Sequence, residues 1–323
     1  MLRILCGLIV ATVVFSLPGP LLAQLSVDPD LPSYKATSGV SGTIKSIGSD
    51  TMNNMMTLWA EGFQKMYPNV RIEIEGKGTS TAPPALIQGT ATFGPMSRPM
   101  KSDEIDSFEK RYGYKPVELG TGIDMLAVYV HKDNPIKGLM LKQVDAIFTN
   151  TRRGGGSSDI SRWGQLDLGG EFSSAPISLY GRNSASGTYS YFKQNALFNG
   201  DFKSNVKEQP GSSSVVQGIA SDKFGIGYSG IGYKTADVRA VPLSADGAEF
   251  IDPTPENAEQ FPLSRFLLVA VNYRPGSKLD PLRREFIKYI YSKQGQTDVI
   301  KDGYLPLPAV VAKAQLAKVG ITD

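Results

Sequence analysis

From about residue 41 onward, short apolar runs of strand character alternate with stretches of helical period, and this continues almost to the end of the chain. Such alternation admits few folds. Strands interleaved with helices form an α/β structure, with a mostly parallel sheet covered on both faces. "SGTIKSIGSD" predicts a short strand through Ile44 and Ile47 that runs into a turn. Met52, Met55, Met56, Trp59, Phe63 and Met66 then recur as one apolar helical stripe. The stripe is read as core packing rather than as a metal or cofactor site. "VRIEIEG" alternates as a half-buried strand, and "ATFGPMS" predicts another strand and turn. "SDEIDSFEKRYG" predicts a helix with Ser102 as N-cap and acids in its first turn. "GIDMLAVYVHKD" and "SRFLLVAVNY" predict buried strands, and "GIGYSGIGY" predicts tight turns around a short strand. "TRRGGGSSDISRWGQL" is the most loop-like part, read as a surface loop because strand and helix signals resume at once with "APISLYG".

The chain has 323 residues, 41% hydrophobic and 20% charged, which suits two globular domains with no need of disulfide or metal support. A net charge of +3 is too small to argue for nucleic acid or a membrane surface as partner. Residues 1–23 carry Arg3, an apolar run from Ile4 to Phe15, Pro18, Pro20 and a small Ala23. That pattern predicts a secretory signal peptide cut after Ala23; the run is too short for a membrane span. The only cysteine, Cys6, lies within it, so the exported chain would carry no thiol and would not span the membrane.

Three segments share one form: a strand, a turn of glycine and hydroxyl residues, then a helix. They are "IGSDT" with Ser49, Asp50 and Thr51, "GKGTST" with Thr79 and Ser80, and "GRNSASGT" with Arg182, Ser186, Gly187 and Thr188. A helix start offers unpaired N–H groups and partial positive charge, glycine lets an anion approach the backbone, and hydroxyls add donors. Three such turns, one with an arginine, point to an oxyanion cradle. There is no GxxxxGK[ST] nucleotide loop, and the single His131 cannot by itself build a zinc site or a serine triad. Nothing resembles acid/base machinery, which argues against an enzyme, and no cofactor or metal is expected.

"GRNSASGTYSYF", "GIGYSGIGY" and the closing "KDGYLPLP" together resemble the periplasmic phosphate-binding proteins of high-affinity phosphate ABC transporters, with the likeness running from about Gly39 to Leu316. The resemblance implies a periplasmic binding protein of type II, a two-lobe Venus-flytrap with the ligand in the interlobe cleft. It implies a first lobe of residues 39–122 plus 268–323 and a second of 123–267, after a 24–38 extension. The crossings would be 122–130 and 262–269. It further implies an exported monomeric receptor in the periplasm, with a fraction outside the cell also compatible. That receptor takes inorganic phosphate and passes it to membrane permease subunits.

By the same resemblance Arg182 corresponds to the family's phosphate arginine, Ser186, Gly187 and Thr188 to its Ser-Gly-Thr, and Thr79 and Ser80 to its hydroxyl pair. Ser49, Asp50 and Thr51 fall on its first anion loop. Where many members have Ser-Asp in the third loop, this chain has Ser97 and Arg98, and Ser184 stands where an acid is frequent. Asp50, the one acid within these loops, is then the expected acceptor for the P–OH that phosphate carries and sulfate lacks. Alternatives are a receptor for sulfate or molybdate, and a secreted phosphatase-like or adhesive protein.

Overall fold

A computed structural model describes residues 25–322; the signal-peptide reading lies outside the described residues. In chain order the elements are β1 (Gly42–Ile47), α1 (Asn53–Met66), β2 (Val70–Glu75), α2 (Ala82–Gln88), β3 (Phe93–Met96), α3 (Ser102–Tyr112) and β4 (Val117–His131). There follow β5 (Leu139–Met140), α4 (Leu141–Phe148), β6 (Ser178–Arg182), α5 (Gly187–Asn195), β7 (Lys207–Gln209), α6 (Ser212–Ala220) and β8 (Gly225–Gly230). Last come β9 (Val238–Ala240), β10 (Leu243–Ser244), β11 (Ser264–Val271), α7 (Pro281–Ile290), α8 (Lys293–Lys301) and α9 (Ala309–Ala317).

The long sheet runs β2-β1-β3-β11-β4-β8-β6-β7, with β9 also on β4. Its two wings are parallel: β1 with β2 and β3, and β6 with β7 and β8. Its middle corrects the expectation of a mostly parallel sheet, because β11 is antiparallel to β3 and β4, and β4 is antiparallel to β8 and β9. The reason is topological. β4 and β11 carry the chain out of one wing and back, and two such crossings side by side must run in opposite directions.

Each wing has its own core. The first gathers the α1 stripe with Phe93, Leu119, Phe286, Tyr289 and Tyr304. Met55, Met56, Trp59 and Phe63 of that stripe are fully buried, which accounts for its helical period. The second gathers Val128, Phe148, Trp163, Phe192, Ile226 and Tyr228. Two lobes therefore share β4: Val117–Met125 pair with β11, and Leu126–Val130 pair with β8. A bulge interrupts the β4–β11 ladder at Leu267/Leu268. The extra residue there is Thr121, whose hydroxyl donates to Leu267 O at 3.0 Å and so satisfies the carbonyl that the bulge displaces.

Residues 25–38 form neither helix nor strand, yet Leu31 and Tyr34 are buried in the first core and Leu25 packs against the second. One local reading is corrected. Ser102 is the first residue of α3 rather than its cap; Lys101 holds the cap position, and Glu104 accepts from its N–H at 2.8 Å. The short strand expected within "GIGYSGIGY" is Gly225–Gly230, buried throughout, and a tight 3-10 turn, Ile231–Tyr233, follows it. The strand's glycines are needed there because a Cβ at Gly227 would lie 2.7 Å from Tyr180 O on the neighbouring strand.

Candidate functional site

The three Gly/hydroxyl turns lie at the C-terminal ends of β1, β2 and β6, where open α/β sheets bind their ligands. Two more turns join them: the end of β3, with Ser97, and the start of α6, with Ser212. Seven hydroxyl residues of these five turns are buried to 2% exposure or less, and six of them bond to one another: Ser49, Thr51, Thr79, Ser97, Thr188 and Ser212. They form a continuous network. Ser97 Oγ accepts from Ser49 Oγ at 3.1 Å, and it lies 3.1 Å from Thr79 Oγ1 and 3.5 Å from Thr188 Oγ1. Thr51 Oγ1 lies 2.9 Å from Thr188 Oγ1 and 3.4 Å from Ser212 Oγ.

This network crosses from one lobe to the other, so the cleft is closed. Ser80 N–H donates to Ala185 O at 3.1 Å, and Asp50 meets Arg182 at 3.2 Å. Tyr233, from the second lobe, donates to Asp50 O at 3.1 Å, while Tyr304 of the first donates to Thr51 O at 3.0 Å. Closure is tight at Gly187: a Cβ there would fall 2.3 Å from Thr79 Oγ1 and 2.6 Å from Ser97 Oγ. Gly78 is constrained twice, by a φ of +114° and by Ala185 O, 2.6 Å from any added Cβ.

A guanidinium feeds each end of the hydroxyl network. Arg182 Nη1 donates to Ser212 Oγ at 2.6 Å and Nη2 to Pro210 O at 3.1 Å. Burial lowers the pKa of this guanidinium and the Asp50 carboxylate opposes that shift. At the other end Arg265 Nη2 donates to Thr188 Oγ1 at 2.9 Å. Each arginine has an acid beside it: Asp50 for Arg182, and Asp124, at 2.8 Å, for Arg265. Because each hydroxyl has one hydrogen and two acceptor lone pairs, an arginine donating into Thr188 or Ser212 frees that hydroxyl's hydrogen to be donated onward. The network is a bank of donors, suited to an anion with several oxygens.

Most of the sequence-derived residues meet in this place, in varied ways. Ser186 Oγ caps α5 by accepting from Tyr189 N–H at 3.3 Å. Gly187 and Thr188 open α5, so their N–H groups have no partner within the helix. Ser80 contributes its backbone N–H to the cross-lobe contact. Asp50 does not cap its own helix; its Oδ2 accepts from Ser212 N–H at 2.8 Å, across the cleft. Arg98 stands apart from the hydroxyls. Its guanidinium forms a two-pronged pair with Glu104 at 2.7 and 2.8 Å and borders a separate cavity of about 630 Å³ with Lys101, Ser184 and Lys193. His131 ends β4 with Asp133 at 3.7 Å, far along the strand from the network.

Sequence reasoning missed Ser212, Asp124 and Arg265. Ser212 opens "SSSVV" after Gly211, the same turn form as the other three. Asp124 and Arg265 were visible as single charges inside otherwise apolar strands, and a buried charge demands a partner.

A model of the PBP superfamily domain matches residues 33–294. Over 306 residues the chain is 54% identical to the phosphate-binding protein PstS of Pseudomonas aeruginosa, covering 94% of this chain and 95% of that protein. This chain belongs to the PstS family. Among solved structures, a putative phosphate ABC transporter substrate-binding protein with bound phosphate from Clostridium perfringens is 26% identical, with a TM-score of 0.69. It is matched over its whole length, by 82% of this chain. An ABC-type phosphate transport receptor from Vibrio cholerae, 21% identical, shares the fold with a TM-score of 0.63, over 82% of this chain and 100% of that one. Membership of the PstS family agrees with the two-lobe type II architecture. It makes the chain a substrate-binding component rather than an enzyme. No helix among the described residues is long and apolar enough to cross a membrane.

Proposed function

We propose that this PstS-family protein is the periplasmic receptor for inorganic phosphate that supplies a membrane ABC transporter. One observation carries the reading. Six buried hydroxyls and Arg182, drawn from both lobes, converge on one point of the closed cleft. Donors of this number, with so little free positive charge, suit a small tetrahedral oxyanion. Among the described residues no group of three or more His, Cys, Asp or Glu could hold a metal. Ligand binding here rests on hydrogen bonds and the arginine. The reading divides the chain into lobes of 39–122 with 268–323, and of 123–267; the two cores support it and depart from it at Leu267 and Leu305. Export by residues 1–23, a monomeric state and docking of the closed form on the permease complete the proposal.

Ser49, Thr51, Thr79, Ser80, Ser97, Ser186, Gly187 and Thr188 are the donors in this reading, with Arg182 the central charge. Asp50 is the acceptor for the ligand's P–OH. Arg98 serves through Glu104 as a wall of the cleft mouth rather than as a ligand. The test is Arg182→Ala, because loss of a buried charged partner costs roughly 2–5 kcal/mol. Calorimetry with phosphate should show affinity weakened by that amount, and near-native affinity would contradict the assignment.

A further inference from the structure

Arg265 and Asp124 lie outside the five turns, on the two crossing strands β11 and β4. Both are buried; their side chains are 3% and 0% exposed. The pair is two-pronged, with Arg265 Nε and Nη2 donating to Asp124 Oδ2 at 2.9 and 2.8 Å. An ion pair buried this deeply has a large desolvation cost, and hydrophobic residues of similar size would hold two strands together as well. Its remaining bonds give it a use. Arg265 Nη1 donates to Ser97 O in the first lobe at 2.7 Å, and Nη2 donates to Thr188 Oγ1 in the second at 2.9 Å. The guanidinium also sits 5.1 Å from the ring centre of Tyr191 on α5. Asp124 Oδ1 in turn accepts from Ile231 N–H of the second lobe at 2.9 Å.

One planar group on the crossing strands thus touches both sides of the cleft. Its two outward bonds coexist only when α5 has come up against the β3 turn, since Ser97 O and Thr188 Oγ1 belong to different lobes. Asp124 fixes the plane of the fork so that Nη1 and Nη2 point to the two lobes. Thr188 receives a hydrogen from Arg265, and its own hydrogen is directed into the hydroxyl network.

From this geometry we infer that Arg265, held by Asp124, is a positioning residue that latches the lobes in the closed state and orients the Thr188 hydroxyl towards the ligand. The inference rests on the phosphate reading for its ligand, though not for the latch. A lysine cannot replace it, because a single ammonium lacks the fork needed to reach Asp124, Ser97 O and Thr188 together.

The experiment uses Arg265→Lys, which keeps the charge opposite Asp124, and Arg265→Gln, which removes it. Spin labels at the exposed positions Lys110 and Gln194, one on each lobe, report closure. Calorimetry with inorganic phosphate reports affinity, and Thr188→Val combined with Arg265→Lys completes a double-mutant cycle. We expect Arg265→Lys to weaken phosphate binding at least tenfold and to broaden the label distance towards the open form. The double variant should be weakened by less than the product of the single effects. Arg265→Gln should open the lobes further. If it does not fold, Arg265→Lys and the cycle carry the test alone. Wild-type affinity and closure in Arg265→Lys, or strictly multiplicative effects in the cycle, would overturn the latch. A wild type that gives no heat with phosphate would instead overturn the phosphate reading. The label distances in the unliganded proteins would still decide the latch.

Discussion

At the scale of single residues, Asp50 has two tasks that pull in different directions. Its Oδ2 holds Arg182 and the Ser212 N–H, and in the proposed function its negative charge faces the bound anion. An ionised carboxylate accepts the P–OH of phosphate but meets only repulsion from sulfate. Asp50→Asn removes the charge that competes with an anion for Arg182. Sulfate should then bind more tightly than to the wild type, and the phosphate-to-sulfate affinity ratio should fall by tenfold or more. Titration of both anions into both proteins measures it; an unchanged ratio would place the acceptor elsewhere. Asp302 gives a second residue-level prediction. Burial raises its pKa from the ordinary 3.8 to about 7, against bonds from Asn54 and the Met55 N–H that lower it. The native state therefore holds a proton that the unfolded chain has released, so this group's contribution to stability falls as pH rises from about 4 to about 7. Denaturant melts across that range should show a shallower decline for Asp302→Asn. An identical pH slope in the two proteins would remove Asp302 as its source.

At the scale of elements, the junction of α5 with the β2 and β3 turns is where packing and ligand binding meet. Gly187 has no room for a side chain once the cleft is shut, since Thr79 and Ser97 would both have to move. Each lobe nevertheless keeps its own core, which does not involve Gly187. Gly187→Ala should thus weaken phosphate binding at least 100-fold while the unliganded protein melts within a few degrees of wild type. Calorimetry and a thermal melt check it together, and a normal affinity would show that the cleft closes less tightly than described. Legibility in the sequence followed the same line between local and distant contacts. The α1 stripe, the β2 alternation and the Gly/hydroxyl turns are local patterns, and each appears where it was expected. β8 was legible only as a short strand among turns, because glycines that exist for the neighbouring Tyr180 backbone weaken its strand signal. The antiparallel centre escaped because direction depends on which distant strands pair. Arg98 looked like a ligand by position, yet Glu104, six residues on, claims its fork. Arg265 was visible as a charge in an apolar strand, but its partners, 77, 141 and 168 residues away, were not.

At the scale of the molecule, two wings share one sheet through β4 and β11, and the site lies where turns from both wings meet. In the proposed function, motion of the lobes would be taken up by those two crossing strands, whose ladder is interrupted by the bulge at Leu267/Leu268. The same strands carry the Asp124–Arg265 pair, so the hinge and the site are joined by direct contacts rather than by a long relay. A receptor built this way reports occupancy by its shape, which is what a transporter can read. Selectivity then comes from enclosure: an anion that cannot satisfy both the donor network and Asp50 leaves buried polar groups unpaired in the closed form. In the proposed function this cleft closes on phosphate and reads its proton. Calorimetric titration of the ligand-free protein with phosphate and with sulfate, at neutral pH with a chelator present, tests it most directly. One phosphate per chain should bind without any metal, and sulfate at least 100-fold more weakly. Equal affinity for the two anions, or phosphate binding that is lost on chelation and restored by a divalent ion, would contradict it.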